Sequence, residues 1–424
     1  MYFMYYNPTD VDPKQLVNRD TEAKWLEGGL RAYLESQRNR DQLGSRAFCI
    51  SGEKGMGKSI LTRAAIERLR LEYSSNTLFL EIDCRGYRSW REILGAAARS
   101  VVDELTELKA SRIAVSDALL ATAKLLSTIT TFDSAELTEI HEHIRQYEAA
   151  AALTGGLTLK TLNVNFGISV KRDEKDIKAL TGKVTFDEHR LCKSLQSLFR
   201  DIRKQGFNVV LYIDNIDELQ HDYREASRRE WVRHQTEGIF NLGEAPIGLV
   251  LNMRTYLSGI LPRFVDARRV LQLLTPSVLQ EILAHRLHDE TPEVQNLMNE
   301  VPVKQTLEKV GRLAPTPLAF LVWIKFLAEA DALNPDGLEE GFSLFLETHY
   351  ANIRKEVLHA VAETFDAPGQ TVDAETILAA CNGNKAVMAQ LQDRQAILPE
   401  DFWNPVAFTL DPELFFLMKP NAQG

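Results

Sequence analysis

Two periodicities alternate along the first two thirds of the chain. Short apolar runs stand at 46–51, 77–84, 208–214 and 247–253, with 269–274 as a fifth. Runs of this length with little polar interruption fit strands buried on both faces of a parallel sheet. Between them apolar residues recur at helical spacing, over about 21–37, 58–73, 90–109, 112–128, 134–151 and 186–204. Strands alternating with helices predict an α/β fold, a parallel sheet with helices on both faces. From 276 to about 332 the pattern is helical throughout. Three more helices are expected at about 340–365, 373–382 and 384–393, then two extended pieces near 396–398 and 406–410. That order suits a winged helix.

Residues 110–180 depart from this rhythm. Two helical patterns lead to Thr154-Gly155-Gly156, and Leu157 to Lys171 then alternate apolar and polar, as a hairpin does. Lys160, Lys171, Arg172, Lys175 and Lys178 make this the most basic neighbourhood of the chain. A solvated hairpin face explains such a run, and a nucleic-acid or partner contact is the sharper reading. There is no internal repeat and no low-complexity tract.

The stretch Gly52-Glu53-Lys54-Gly55-Met56-Gly57-Lys58-Ser59 fits G-x-x-x-x-G-K-[ST], between an apolar strand and a helix that continues through Ile60. Strand, glycine-rich loop and helix are the context a P-loop needs. Glycines let the backbone turn its N–H groups toward phosphate oxygens, and the helix N-terminus adds partial positive charge. Lys58 is expected on the β- and γ-phosphates and the Ser59 hydroxyl on Mg²⁺. Asp214 closes the run 208–214, where a Walker B aspartate would hold the same metal; Asn215, Asp217 and Glu218 follow closely.

With both motifs in place, the chain resembles the AAA+/STAND group of P-loop ATPases, especially the initiator-like (Orc/Cdc6-like) branch. The resemblance implies a core over 1–275, with inserted helices and the basic hairpin at about 110–180. A helical lid over 276–338 and a winged-helix-like unit over 339–424 would follow. It also implies a water-polarising glutamate after the magnesium aspartate, a place held here by Asn215. An amide cannot take a proton as a carboxylate does. Slow hydrolysis follows, or Asp217 or Glu218 acts as the base. Leu16 to Asp20, with Arg19, looks like the segment that packs on adenine. Asn252 and Arg254 fall where the group has sensor 1 and, in STAND members, an arginine. The stretch 261–269, with Arg263 and Arg268, resembles the one that presents an arginine to a neighbour's γ-phosphate, where it stabilises charge developing in phosphoryl transfer. Pro317-Leu318-Ala319 looks like the STAND lid segment whose proline touches the nucleotide, and no sensor-2 arginine stands nearby.

Composition narrows the partners. The chain has 424 residues, is 45% apolar and 25% charged, and carries a net charge of −10, which counts against a surface wrapped in nucleic acid. Cys49, Cys84, Cys192 and Cys381 lie far apart within apolar segments, as buried free thiols of a cytoplasmic protein do. The opening Met-Tyr-Phe-Met-Tyr-Tyr lacks a basic n-region, and no run reaches membrane-span length, so no membrane partner is expected. His141 and His143 point apart on a helix, and His285 and His288 have no clustered ligands. Lys385 and Arg394 are too few for major-groove reading.

The resemblance and these residues together lead to an ATP- and Mg²⁺-binding ATPase, a homo-oligomerising switch exchanging ATP for ADP. Its effector would be a separate protein, and stand-alone members of this kind often serve bacterial defence against phage or mobile DNA. The alternatives are an Orc/Cdc6- or transposon-regulator-like DNA-binding loader and a degenerate nucleotide-binding scaffold.

Overall fold

The computed structural model describes residues 7, 12–36, 46–87, 89–131, 188–216, 239–255, 265, 267–288, 290–367, 370–394, 396–399, 406–411, 414–415 and 418–419. The expected helix at 134–151, the basic hairpin, Asp217, Glu218 and Arg263 lie outside them.

Five parallel strands form the first sheet: β1 (Arg46–Ser51), β2 (Thr77–Asp83), β3 (Asn208–Asp214), β4 (Gly248–Met253) and β5 (Ala267–Val270), in the order β2-β3-β4-β1-β5. Both β3 and β4 are buried along their whole length, as their unbroken apolar runs require. One face is covered by α1 (Asp20–Ser36) and α2 (Lys58–Tyr73), whose Leu26, Leu30, Leu61 and Leu69 meet Phe48, Ile50, Phe79, Val210 and Val250. Gly29 lets α1 come this close, because a Cβ there would sit 2.4 Å from the Phe48 ring. The Tyr33 hydroxyl donates toward the carbonyls of Pro246 (3.0 Å) and Val209 (3.2 Å), seating α1 on the strand ends. The other face packs on α3 (Trp90–Ala110), α4 (Asp117–Thr131) and α5 (Glu188–Lys204).

The fifth strand differs from expectation. It spans Ala267–Val270 instead of 269–274, and Arg268, Arg269 and Val270 are exposed on the sheet edge. The apolar run that suggested a later strand turns away after Leu271, whose N–H still reaches the Ser51 carbonyl at 2.8 Å. Helix α4 begins at Asp117, five residues beyond the expected 112, because Ser111 and Arg112, the latter at φ +62°, close off α3 first.

Beyond the sheet come α6 (Pro276–Arg286), α7 (Pro292–Leu297), α8 (Val301–Leu313) and α9 (Pro317–Glu329). Each opens with proline in its first turn, where a missing N–H costs nothing. The helix expected at 340–365 is two, α10 (Leu338–His349) and α11 (Lys355–Glu363). Ile353 between them stays buried, so the apolar pattern runs through a turn that breaks the helix. A second, antiparallel sheet of order β6-β8-β7 combines β6 (Thr371–Asp373), β7 (Ile397–Pro399) and β8 (Ala407–Leu410) with α12 (Ala374–Ala380) and α13 (Lys385–Asp393). One apolar cluster runs from Leu279 to Met418, and Trp323 of α9 stacks on Phe345 of α10 at 4.2 Å between ring centroids.

All four cysteines are free and buried, and burial pushes the Cys49 and Cys192 thiols up to about 12. Among the described residues no helix is long and apolar enough to cross a membrane.

Candidate nucleotide site

The glycine-rich loop leaves the end of β1 and enters α2 without a side-chain cap: Gly57, at φ +87°, holds the N-cap position. The first amide bond of the ladder runs from Leu61 N–H to the Gly57 carbonyl at 3.0 Å. The N–H groups of Lys58, Ser59 and Ile60 therefore lie ahead of the ladder, aimed out of the helix end where an anion is favoured. Gly55 also takes a left-handed backbone, φ +77°. Gly52 does not; it is needed for close approach, since a Cβ would stand 3.2 Å from the Leu271 Cβ. Lys58 Nζ donates to the carbonyls of Gly52 (2.8 Å) and Glu53 (2.9 Å), folding over the loop it would share with a phosphate chain. Lys54 is exposed, and Met56 is buried in the core beneath α2, which leaves only its main chain for a ligand.

Asp214 sits at the end of β3, 2% exposed, with β4 between its strand and β1. Its carboxylate accepts from the Asn215 N–H at 3.0 Å. The buried Tyr212 phenol lies beside both Asp214 and Ser59, the two residues expected on the metal. Asn252 Nδ2 also donates to Tyr212 at 2.9 Å, and the Thr62 hydroxyl donates to Asn252 Oδ1 at 3.1 Å. Burial raises the Tyr212 phenol well above its ordinary value, and the adjacent Asp214 charge raises it further, so the proton stays on the oxygen. Tyr212 was not singled out from sequence. The signal was its place two residues before Asp214, which puts both on one face of the strand.

The donor set suits Mg²⁺. That ion is held by one or two carboxylates plus substrate phosphates, and it keeps several waters. One buried carboxylate and one hydroxyl, beside a loop shaped for phosphate, match that need. Among the described residues no group of three or more His, Cys, Asp or Glu side chains offers a fuller cage.

The remaining expected residues fall around this centre. Arg19 is buried at 5% exposure, with Nη2 on the Gln272 carbonyl at 2.7 Å and Nη1 on Glu22 at 3.3 Å. Burial lowers its pKa and Glu22 partly restores it. Its neighbour Asn18, at φ +57°, bonds Glu281 of α6, and Val17 packs on the second apolar cluster, so this segment ties α1 to the later helices. Arg254 follows β4 and is 1% exposed, whereas Arg268 is exposed on β5.

Pro317 opens α9 directly against the loop. The Leu318 N–H donates to the Gly55 carbonyl at 3.2 Å, and a Cβ on Gly55 would lie 2.5 Å from Leu318 Cβ and 3.2 Å from Thr316 Oγ1. Thr316 caps α9 through the Ala319 N–H. On the other side, Asp83 ends β2 in register with Asp214, and Asn215 Nδ2 donates to Asp83 Oδ1 at 2.9 Å. Burial pushes the Asp83 carboxyl up, but bonds from Arg85 and Asn215 together outweigh it and hold it below the usual carboxylate value.

A glycine-rich loop after one parallel strand, an open helix end behind it and a buried aspartate two strands away define a P-loop nucleoside triphosphatase. The chain belongs to the AAA ATPase domain family, whose profile matches residues 16–238. Among solved structures it is similar to the ORC2 protein of Aeropyrum pernix in ADPNP and ADP complexes, at 14% identity over 97% of this chain and 95% of that one, TM-score 0.43. It is also similar to Cdc6p from Pyrobaculum aerophilum, at 14% identity over 98% of each chain, TM-score 0.38. A third is Drosophila ORC bound to DNA, at 14% identity over 97% of this chain and 91% of that one, TM-score 0.38. A comparison with curated proteins finds no match.

Proposed function

We propose that this AAA ATPase is a nucleotide-dependent switch, with Mg-ATP bound between the sheet and a lid formed by α6–α9. The observation that carries the proposal is the direct bond from Leu318 at the lid helix to Gly55 in the phosphate loop. A ligand seated in the loop cannot leave that contact unchanged. It therefore has differential affinity for two lid arrangements, which is the condition for a ligand to shift an equilibrium. Lys58 and the loop amides would hold the phosphates, Ser59 and Asp214 the metal, and the segment around Arg19 together with Pro317 the nucleoside side. When bound, Mg²⁺ would offset phosphate charge; the chain's own part is to set Ser59 and Asp214 on either side of the buried Tyr212 phenol. Exposed Arg268 would complete a neighbour's site, giving an oligomer that acts through a separate effector, in keeping with a role in defence against phage or mobile DNA.

Size exclusion with light scattering tests this, without nucleotide and with ADP or a non-hydrolysable ATP analogue. An oligomer that forms only with the triphosphate, and is lost in Lys58→Ala together with ATP binding, is the expected result. Assembly indifferent to nucleotide refutes the switch. A DNA-binding loader would draw on β6–β8 with α12 and α13, read as a winged helix. Yet Asp393 offsets Lys385 and Arg394 there, which weakens attraction to phosphates. Assembly that requires DNA, with a steep salt dependence, would favour the loader.

A further inference from the structure

The residue after the metal aspartate is an amide, and across a hydrogen bond from that amide stands an acid. Asn215 takes a left-handed backbone, φ +55°, which aims its side chain at β2. There its Nδ2 meets Asp83 Oδ1 at 2.9 Å, in the strand that pairs Asp83 with Asp214. The Cys84 N–H fixes the same junction by donating to the Asp214 carbonyl at 3.0 Å. Asp214 is sealed, whereas the Asp83 side chain is 29% exposed. Arg85 engages both of its oxygens, the backbone N–H reaching Oδ1 at 3.0 Å and Nε reaching Oδ1 at 3.1 Å and Oδ2 at 2.8 Å, from a side chain 61% exposed.

We propose that Asp83 supplies the carboxylate missing at position 215, with Asn215 as its positioning clamp across the neighbouring strand. The inference rests on the Mg-ATP site proposed above. Asp83 accepts the hydrogen bond that orients the attacking water, a task an amide donor at 215 serves only by holding the acid in place. The water oxygen bonds to the γ-phosphorus, and the bond to the β–γ bridging oxygen breaks with its electron pair leaving on ADP. One water proton stays on the new phosphate and the other is released to solvent. Arg85 holds the carboxylate when no water is to be oriented.

The test compares wild type, Asp83→Asn, Asn215→Asp and the exchanged pair Asp83→Asn/Asn215→Asp, measuring ATP affinity and single-turnover hydrolysis separately. Asp83→Asn should bind ATP within about twofold of wild type and hydrolyse it about a hundredfold more slowly, the lower range for a group that handles the water proton. The exchanged pair should recover at least tenfold over Asp83→Asn, which a merely structural role for Asp83 would not give. Hydrolysis by Asp83→Asn at the wild-type rate, or an exchanged pair no faster than the single variant, overturns the assignment. Wild type that binds ATP without hydrolysing it overturns the assignment alone; wild type that takes up no ATP overturns the site reading and this with it.

Discussion

Replacing Tyr212 by phenylalanine removes one oxygen from the centre of the site and leaves the ring shape intact. One hydrogen bond goes, accepted from Asn252 Nδ2 at 2.9 Å, and Ser59 and Asp214 lose a polar neighbour. Asn252 is fully buried, and an unmet amide donor there costs about 1–3 kcal/mol. Asp214 keeps the Asn215 N–H at 3.0 Å. Part of the cost is returned because the phenol itself is no longer desolvated. The nucleotide-free protein should lose about 1–2 kcal/mol, read as a lower urea midpoint at unchanged slope. Because the phenol stands between the two residues proposed to hold the metal, Tyr212→Phe should bind Mg-ATP about tenfold more weakly than wild type, the equivalent of about 1.4 kcal/mol, and bind ATP without metal unchanged. Calorimetric titration with and without magnesium makes the measurement. An affinity for Mg-ATP that stays level or rises refutes the idea that Tyr212 places the metal residues.

Two further outcomes follow from burial. Trp323→Ala removes a fully buried ring stacked on Phe345 and should cost about 3–5 kcal/mol in denaturant unfolding; a loss under about 1 kcal/mol would mean the stack carries little. Tyr33 and Tyr212 both have phenol values raised first by burial. Below the ordinary phenol value of about 10 both states keep the protons, so their contribution is full and flat. Above it the unfolded chain releases protons that the native one retains, so stability should fall from about pH 10 upward in thermal melts, less steeply in Tyr212→Phe. A melting point unchanged up to pH 11 would contradict it.

The parts legible from sequence are those where one residue's type carries the geometry. The loop glycines, Lys58 and the strand ending in Asp214 were readable because phosphate binding and two-faced burial each leave a pattern in consecutive residues. The fifth strand was misplaced because an edge strand with exposed Arg268 and Arg269 has no two-faced pattern to read. The three-residue strand Thr371–Asp373 is too short for any periodicity, and its last residue serves as the cap of α12. Tyr212 and Asp83 were missed for another reason: their partners lie on other elements. Asp83 reads as an ordinary strand end until the register sets it beside Asp214, and the lid segment at Pro317-Leu318-Ala319 gives no hint that the Leu318 N–H lies on Gly55.

Because apolar packing continues unbroken from Leu279 to Met418, the later helices and the second sheet have no slack between them. On the switch proposed above they would move as the long arm of a crank whose short end is the Leu318 amide. A rocking of that amide by a fraction of an ångström would be returned as a larger sweep of α13 and the β6–β8 rim. Nucleotide chemistry could then be sensed at a remote face without any signal threading through side chains one by one.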